Sequence, residues 1–263
     1  MFLADCHTHT HLSPDSDSAA IDMAKAAQKA GLSELCFTDH VDFLDFDGNR
    51  CGFDSWERYL EQFQPLSLPG VTLRLGVELG EAWEDPALAR EVVSHPAVDF
   101  VIGSVHNLSS ADGGVDFYYL HYENEDDCHR VLSAYFDCME TLCAMDCYDV
   151  LGHIIYPLRY MNRRDGNHVA LERYLPQLRR IFTTVAARGR GIEVNTCRGE
   201  TVEDWREVLT LYRDCGGKIV TLGSDAHAPA DVGRGIPQAA ALLKELGFDL
   251  AVYEKRQAKL IPL

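Results

Sequence analysis

Asp5-Cys6-His7-Thr8-His9-Thr10 near one end of the chain and Ser224-Asp225-Ala226-His227 near the other each carry a pair of metal-ligand side chains. Residues two apart on an extended strand point to the same side, so His7 and His9 can share one ion. A carboxylate and an imidazole from the far end of the sequence could close its shell. The two ends of the chain must then meet in space.

Between them, short apolar runs alternate with helical segments, the pattern of βα units around a parallel sheet. The expected strands are Phe2 to Cys6, Glu34 to Thr38, Thr72 to Glu78, Asp99 to Val105, Asp149 to His153, Gly191 to Asn195 and Lys218 to Gly223. Helix signals lie between them. Ser18 precedes Ala19-Ala20-Ile21-Asp22 with Gly31 at the close, Asp54 has Glu57 three on, and Asp85 is followed by Pro86. The one long irregular stretch, His106 to Asn124, reads as a lid. Seven such units can close into a barrel, whose chemistry sits at the C-terminal ends of the strands. Six of the seven expected strands finish in a ligand type: His7 and His9, Asp39-His40, Glu78, His106, His153, then Asp225 and His227.

The chain has 263 residues, 46% hydrophobic and 25% charged, which suits one globular α/β domain over residues 1–263. No apolar run reaches the roughly 18 residues of a membrane span. Phe2-Leu3-Ala4-Asp5 begins without a basic segment or cleavage site, so the expected location is cytoplasmic and no membrane partner is expected. Nine scattered cysteines without a C-x-x-C pair argue against a disulfide framework or a thiolate zinc site. A net charge of -17 repels polyanions, so nucleic acid is not an expected partner. Oligomeric state is not legible.

Parity selects among the acids of Leu73-Arg74-Leu75-Gly76-Val77-Glu78-Leu79-Gly80-Glu81. Leu73, Leu75 and Val77 share one apolar face, turning Glu78 to the barrel interior as a ligand and leaving Glu81 at the rim. Asp15, in Ser13-Pro14-Asp15-Ser16-Asp17, is a further ligand candidate with Asp17 as its fallback. Arg159 and Arg198 follow the fifth and sixth strands, and their forked donors suit the oxygens of a phosphate. Cys6 and Thr8 have the opposite parity from the histidines, and Cys197 has no nearby base in sequence, so no cysteine nucleophile is expected.

The ordered motifs His7-Thr8-His9, Thr38-Asp39-His40, Gly76-Val77-Glu78, Ser104-Val105-His106, Gly152-His153 and Asp225-Ala226-His227 resemble the polymerase and histidinol phosphatase (PHP) superfamily along the whole chain. Ser13-Pro14-Asp15, Ile102-Gly103-Ser104-Val105-His106 and Glu193-Val194-Asn195-Thr196 look most like its histidinol-phosphatase branch. The resemblance implies a distorted (β/α)7 TIM-like barrel with three divalent transition-metal ions, zinc, manganese or iron. It assigns His7, His9, Glu78 and Asp225 to one metal, with Glu78 bridging to a second held by His106 and His153. Asp15, His40 and His227 hold the third. Many relatives carry an acid shortly after Gly152-His153, where this chain has Ile154-Ile155.

The expected activity is a phosphomonoester hydrolase for a small phosphorylated substrate, foremost L-histidinol-phosphate phosphatase of histidine biosynthesis. A metal-bridging hydroxide would attack phosphorus while Arg159 and Arg198 bind the phosphoryl oxygens, with Asp225, His227 and Glu78 as the catalytic set. Asp42, Asp45, Asp47, Glu81 or Glu84 would form a rim favouring the cationic end of the substrate. Competing readings are a PHP phosphoesterase for another small phosphate, a protein-tyrosine phosphatase, a proofreading exonuclease and a metal-binding protein without turnover.

Overall fold

The computed structural model describes residues 1–263. The chain runs β1 (Ala4–Asp5), α1 (Ala20–Ala30), β2 (Glu34–Phe37), β3 (His40–Asp42), α2 (Trp56–Phe63), β4 (Thr72–Gly80), α3 (Pro86–Val93), β5 (Phe100–Ser104), α4 (Glu125–Cys143) and β6 (Val150–Leu151). A short α5 (Tyr156–Leu158) continues as a π-helical turn over Arg159–Arg164. Then come α6 (Leu175–Ala187), β7 (Gly191–Asn195), α7 (Trp205–Asp214), β8 (Val220–Gly223), α8 (Ile236–Glu245), β9 (Leu250–Glu254) and β10 (Gln257–Ile261).

Seven strands pair in parallel in the order β1-β2-β4-β5-β6-β7-β8. The ring closes where the sequence required it. Cys6 N donates to Leu222 O at 2.8 Å, Asp225 N to His7 O at 3.0 Å and His9 N to Ala226 O at 2.9 Å. Asp5 fastens the seam by accepting from Ser224 N, Ser224 Oγ and Gly233 N at 2.8, 2.6 and 2.8 Å, and burial pushes its carboxyl up to about 6. The result is a nearly closed parallel barrel ringed by helices. Its distortion has a local cause: β2 stops at Phe37, and β3 takes over the upper half of β4, with His40 opposite Glu78.

All seven expected strands are present, with β7 over the expected residues and β1 and β6 reduced to two residues each. β3 and the antiparallel hairpin β9-β10 were not expected. The hairpin turns at Lys255-Arg256, both at positive φ (47° and 63°), the twist a two-residue connection needs. Two helix starts differ by a residue or more. Ser18 does not cap α1, because its hydroxyl donates to His227 O at 2.8 Å, and α2 begins after Ser55 rather than Asp54. Asp85 caps α3 as expected, accepting from Leu88 N at 3.0 Å, and Gly31 closes α1 at φ 74°. The nine cysteines are free and mostly buried. No helix is long and apolar enough to cross a membrane.

Candidate metal centre

Seven non-glycine residues have positive φ, and five of them, Glu81, His153, Cys197, Arg198 and Asp225, stand on the loops leaving the upper ends of the strands. Such strain persists where the surrounding structure over-determines it, and it clusters at functional sites. The other two form the hairpin turn at the opposite end.

Glu78 is 1% exposed at the centre of this end, and its two oxygens face different histidines. Oε2 lies 3.0 Å from His7 Nε2, 3.5 Å from His9 Nε2 and 3.2 Å from His40 Nδ1. Oε1 lies 2.7 Å from His153 Nε2 and 3.1 Å from His106 Nε2, and accepts from Ser104 Oγ at 2.7 Å. Asp225 Oδ1 completes the first group, 3.3 Å from His9 Nε2 and 3.7 Å from His7 Nε2. Asp15 Oδ2 sits 2.9 Å from His227 Nε2 and 3.7 Å from His40 Nε2. All nine residues proposed from the sequence as metal ligands therefore meet in one place. Asp17 does not join them.

The donors are arranged as the ligands of a metal shell would be. The buried nitrogens His7 Nε2, His9 Nε2, His40 Nδ1 and His227 Nε2 make no hydrogen bond although carboxylate oxygens lie close by. His106 Nε2 and His153 Nε2 approach each other to 3.1 Å beside Glu78 Oε1. Buried polar atoms are normally paired, and imidazole and carboxylate donors converging in this way fit divalent transition metals. Ligand atoms of four triads come within 4.8 Å of one another: His7, His9 and Glu78; Glu78, His106 and His153; His9, His40 and His227; and His40, Asp42 and His106.

Burial opposes ionisation of Glu78 and Asp225, but the imidazoles around them hold both carboxyls well below the usual range. Burial and the proximity of His227 and His40 push His9 down to about 3, keeping it in the neutral, ligating form. Against the effect of burial, the same carboxylates raise His7, His40, His106 and His227, so a metal binding there displaces protons from these rings.

Several supporting residues were missed in the sequence. Glu193, 1% exposed on β7, approaches His7 Nδ1 at 2.6 Å and accepts from His153 N at 3.0 Å. It turns Nε2 of His7 toward Glu78, as carboxylates commonly do behind a metal-bound histidine. Gly223 makes room for this pair, since a Cβ there would lie 2.2 Å from Glu193 Oε1 and 2.4 Å from His7 Cβ. Ser13 Oγ lies 3.0 Å from His9 Nδ1 and donates to Asp39 at 2.8 Å. Glu193 also fixes the backbone of His153, which is followed by Ile154-Ile155.

Of the acids placed at the rim, Glu81 and Glu84 lie outside the cleft lining. Glu81 is fully buried; its Oε1 accepts from His106 N and Asn107 N at 2.7 and 3.1 Å, and burial raises its carboxyl to about 8. Asp42 lines the cleft, where it lies 3.3 and 3.2 Å from His40 and His106. Glu84 is tied to Ser110 and Arg50. The stretch 106–124 is fastened rather than free, with Phe117 fully buried and Phe117 N bonded to His106 O at 2.9 Å.

Arg159 and Arg198 both line a cleft of about 640 Å³ that opens over the cluster beside Asp15, His40, His106 and His227. A second cavity of about 300 Å³ adjoins it across His153, Tyr156, Arg159 and Asp225. Arg159 Nη1 contacts Cys197 Sγ at 2.6 Å, Nη2 reaches Tyr160 OH, and the guanidinium lies 5.3 and 4.7 Å from the Tyr156 and Tyr160 rings. Neither arginine has an ion-pair partner, unlike Arg163 and Arg164, which hold Asp204 and Asp165.

The PHP domain family matches residues 5–197, and the chain belongs to that family. Within it, the chain is 26% identical over 259 residues to the histidinol-phosphatase of Lactococcus lactis subsp. lactis (strain IL1403), covering 95% of this chain and 93% of that protein. A probable histidinol-phosphatase of Clostridium acetobutylicum is 27% identical over 261 residues, covering 97% and 98%. The crystal structure of histidinol phosphate phosphatase from Lactococcus lactis, complexed with zinc, L-histidinol and phosphate, superposes with a TM-score of 0.77 at 26% identity, covering 98% of each chain.

Proposed function

We propose that the protein is a metal-dependent phosphomonoesterase that hydrolyses L-histidinol phosphate. The observation that carries this is Arg159: a half-buried guanidinium without a carboxylate partner, set at the wall of a histidine and carboxylate cluster. A buried cation of this kind has its charge available for an anion, and a planar fork matches phosphate. The relatives named above, and the one whose structure holds L-histidinol and phosphate, support the choice of ester.

His7, His9, Glu78 and Asp225 would hold one metal; Glu78, His106 and His153 a second; and Asp15, His40 and His227 a third. When bound, the metals supply Lewis acidity to the phosphoryl oxygens and lower the pKa of water. Zinc, manganese and iron all suit the donor set. Arg159 and Arg198 orient the phosphoryl group for in-line attack by water and neutralise charge as the P–O bond to the alcohol breaks. Asp225 lines both cavities, and its Oδ2 accepts from Asn195 Nδ2 at 3.3 Å. On that oxygen we place the proton taken from the attacking water and passed to the leaving alcohol.

The test is phosphate release from L-histidinol phosphate and from a panel of phosphate esters at equal metal loading. Histidinol phosphate should lead by about tenfold or more in kcat/KM, and chelation should abolish turnover of every ester. Preference for a different ester would refute the substrate, and turnover that survives chelation would refute the chemistry.

A further inference from the structure

Six of the nine cysteines sit in the hydrophobic core, where a small apolar side chain needs no further role. Cys197 is equally buried, at 2% exposure, yet it lies outside that core and faces a charge. Its Sγ accepts from Arg159 Nη1 at 2.6 Å, across 38 residues of sequence. By contrast, Cys215 and Arg179 lie at the surface and 4.0 Å apart.

A strained turn places the sulfur there. In Asn195-Thr196-Cys197-Arg198-Gly199, the last three residues have φ of 44°, 57° and 91°. Two consecutive non-glycine residues in that region persist only where their surroundings fix them. Here Cys197 N donates to Asn195 Oδ1 at 2.8 Å, Arg198 N to Ser224 O at 2.8 Å and Gly199 N to Thr196 O at 2.9 Å. Thr201 Oγ1 and Trp205 Nε1 both donate to Asn195 O at 2.8 Å, tying the turn to the start of α7.

Arg159 opens the π-helical turn, and it lines both the 640 Å³ cleft and the 300 Å³ cavity. Cys197 lines the smaller cavity and not the cleft, so it holds the arginine from behind. Four and five residues on, Arg163 and Arg164 are fixed by carboxylates instead, Asp204 at 2.6 Å and Asp165 at 2.8 Å. A carboxylate fills a guanidinium fork and cancels its charge. Sulfur is a weak acceptor that takes one N–H and leaves the others. Tyr160, whose phenol burial holds above its ordinary value, accepts from Nη2 in the same uncharged way.

We propose that Cys197 is a positioning residue for phosphate recognition: its sulfur fixes the Arg159 fork between the two cavities and leaves the guanidinium charge for an incoming phosphoryl group. The inference rests on the phosphomonoesterase reading above. It gives the turn after β7 a second task besides setting Arg198 on the cleft wall.

The test replaces Cys197 with Ser, Ala and Asp in the metal-loaded protein and measures kcat/KM for L-histidinol phosphate together with inhibition by inorganic phosphate. Metal content and Tm are followed to show that the cluster and the fold are intact. Cys197→Ala should lower kcat/KM about 5- to 50-fold and weaken phosphate inhibition in parallel. Cys197→Ser, which restores an uncharged acceptor, should recover most of that loss, whereas Cys197→Asp should lose at least about tenfold more than Ala by pairing with the guanidinium. A purely packing role would not produce this order. In an Arg159→Ala background, Cys197→Ala should add less than about twofold, because the sulfur acts through the arginine. Unchanged kinetics and phosphate inhibition in Cys197→Ala, or losses that multiply in the double variant, would overturn the proposal. Should the wild type hydrolyse no phosphate ester, the functional reading fails, and calorimetric binding of inorganic phosphate to the same variants still decides whether Cys197 acts through Arg159.

Discussion

At the lower end of the barrel, Asp149 and Glu34 are buried beside arginines of the same chain; at the upper end, Glu78, Asp225 and Glu193 are buried beside imidazoles. Asp149 holds Arg190 at 3.1 Å and Arg256 closer still, Glu34 lies 3.5 Å from Arg74, and Arg256 reaches Val93 O at 3.1 Å. The hairpin β9-β10 exists in part to deliver Arg256 to this position. Burial pushes the Asp149 carboxyl up while the two arginines pull against it. The lower end is therefore closed electrostatically by the protein itself. Above, Glu78 and Asp225 lie beside nitrogens of His7, His9 and His40 that have no hydrogen-bond partner, and the two nearby arginines lie at the cleft wall. One end is finished by folding, and the other calls for cations from solution.

Exchanging damage between the ends tests this contrast. Glu78→Gln should have the largest effect on activity, about a thousandfold or more in kcat/KM, because it removes the charge facing two groups of histidines; metal content should fall with it. Near-normal activity and metal content would show that the two groups do not share this carboxylate. Arg159→Ala should lower kcat/KM by roughly ten- to a thousandfold with metal content unchanged, and should weaken inhibition by inorganic phosphate. Arg159→Lys should recover only part of the loss, since it restores charge without the fork. Glu193→Gln should act through metal affinity, lowering it about ten- to a hundredfold, so that excess metal restores turnover. Failure of excess metal to restore it would assign Glu193 a different task.

Asp149→Asn should leave kcat/KM unchanged at low temperature and act on stability instead. Removing one partner of a buried ion pair costs about 3 kcal/mol or more, which for a chain of this size lowers Tm by roughly 6 to 12 °C. Thermal unfolding of the metal-free protein measures it. An activity loss without a change in Tm would erase the distinction between the ends.

Much of the upper end was legible because the ligands sit where strands stop, and strand ends are marked by changes of periodicity. His7 and His9 could be paired by parity alone, and Glu78 separated from its apolar neighbours Leu75 and Val77. The same rule failed three residues later. The chain leaves the strand at Gly80 and Glu81 turns at φ 51°, so alternation no longer tells which way a side chain points. The contact of Asp42 with the histidines was not legible because β3 was not foreseen; once His40-Val41-Asp42 is a strand, Asp42 shares the side of His40. Glu193 carried a readable signal, an acid flanked by Ile192 and Val194 in an otherwise apolar strand that faces helices with its alternate residues. The hairpin carried little, because Lys255-Arg256 lacks the glycine or asparagine that usually announces such a turn.

The contrast between the ends stands most directly on metal stoichiometry. Elemental analysis of protein purified without chelator from metal-replete cells should give more than one transition-metal ion per chain, approaching three, because nine converging donors exceed one shell. One ion or none under those conditions would contradict a multinuclear centre at the upper end of the barrel.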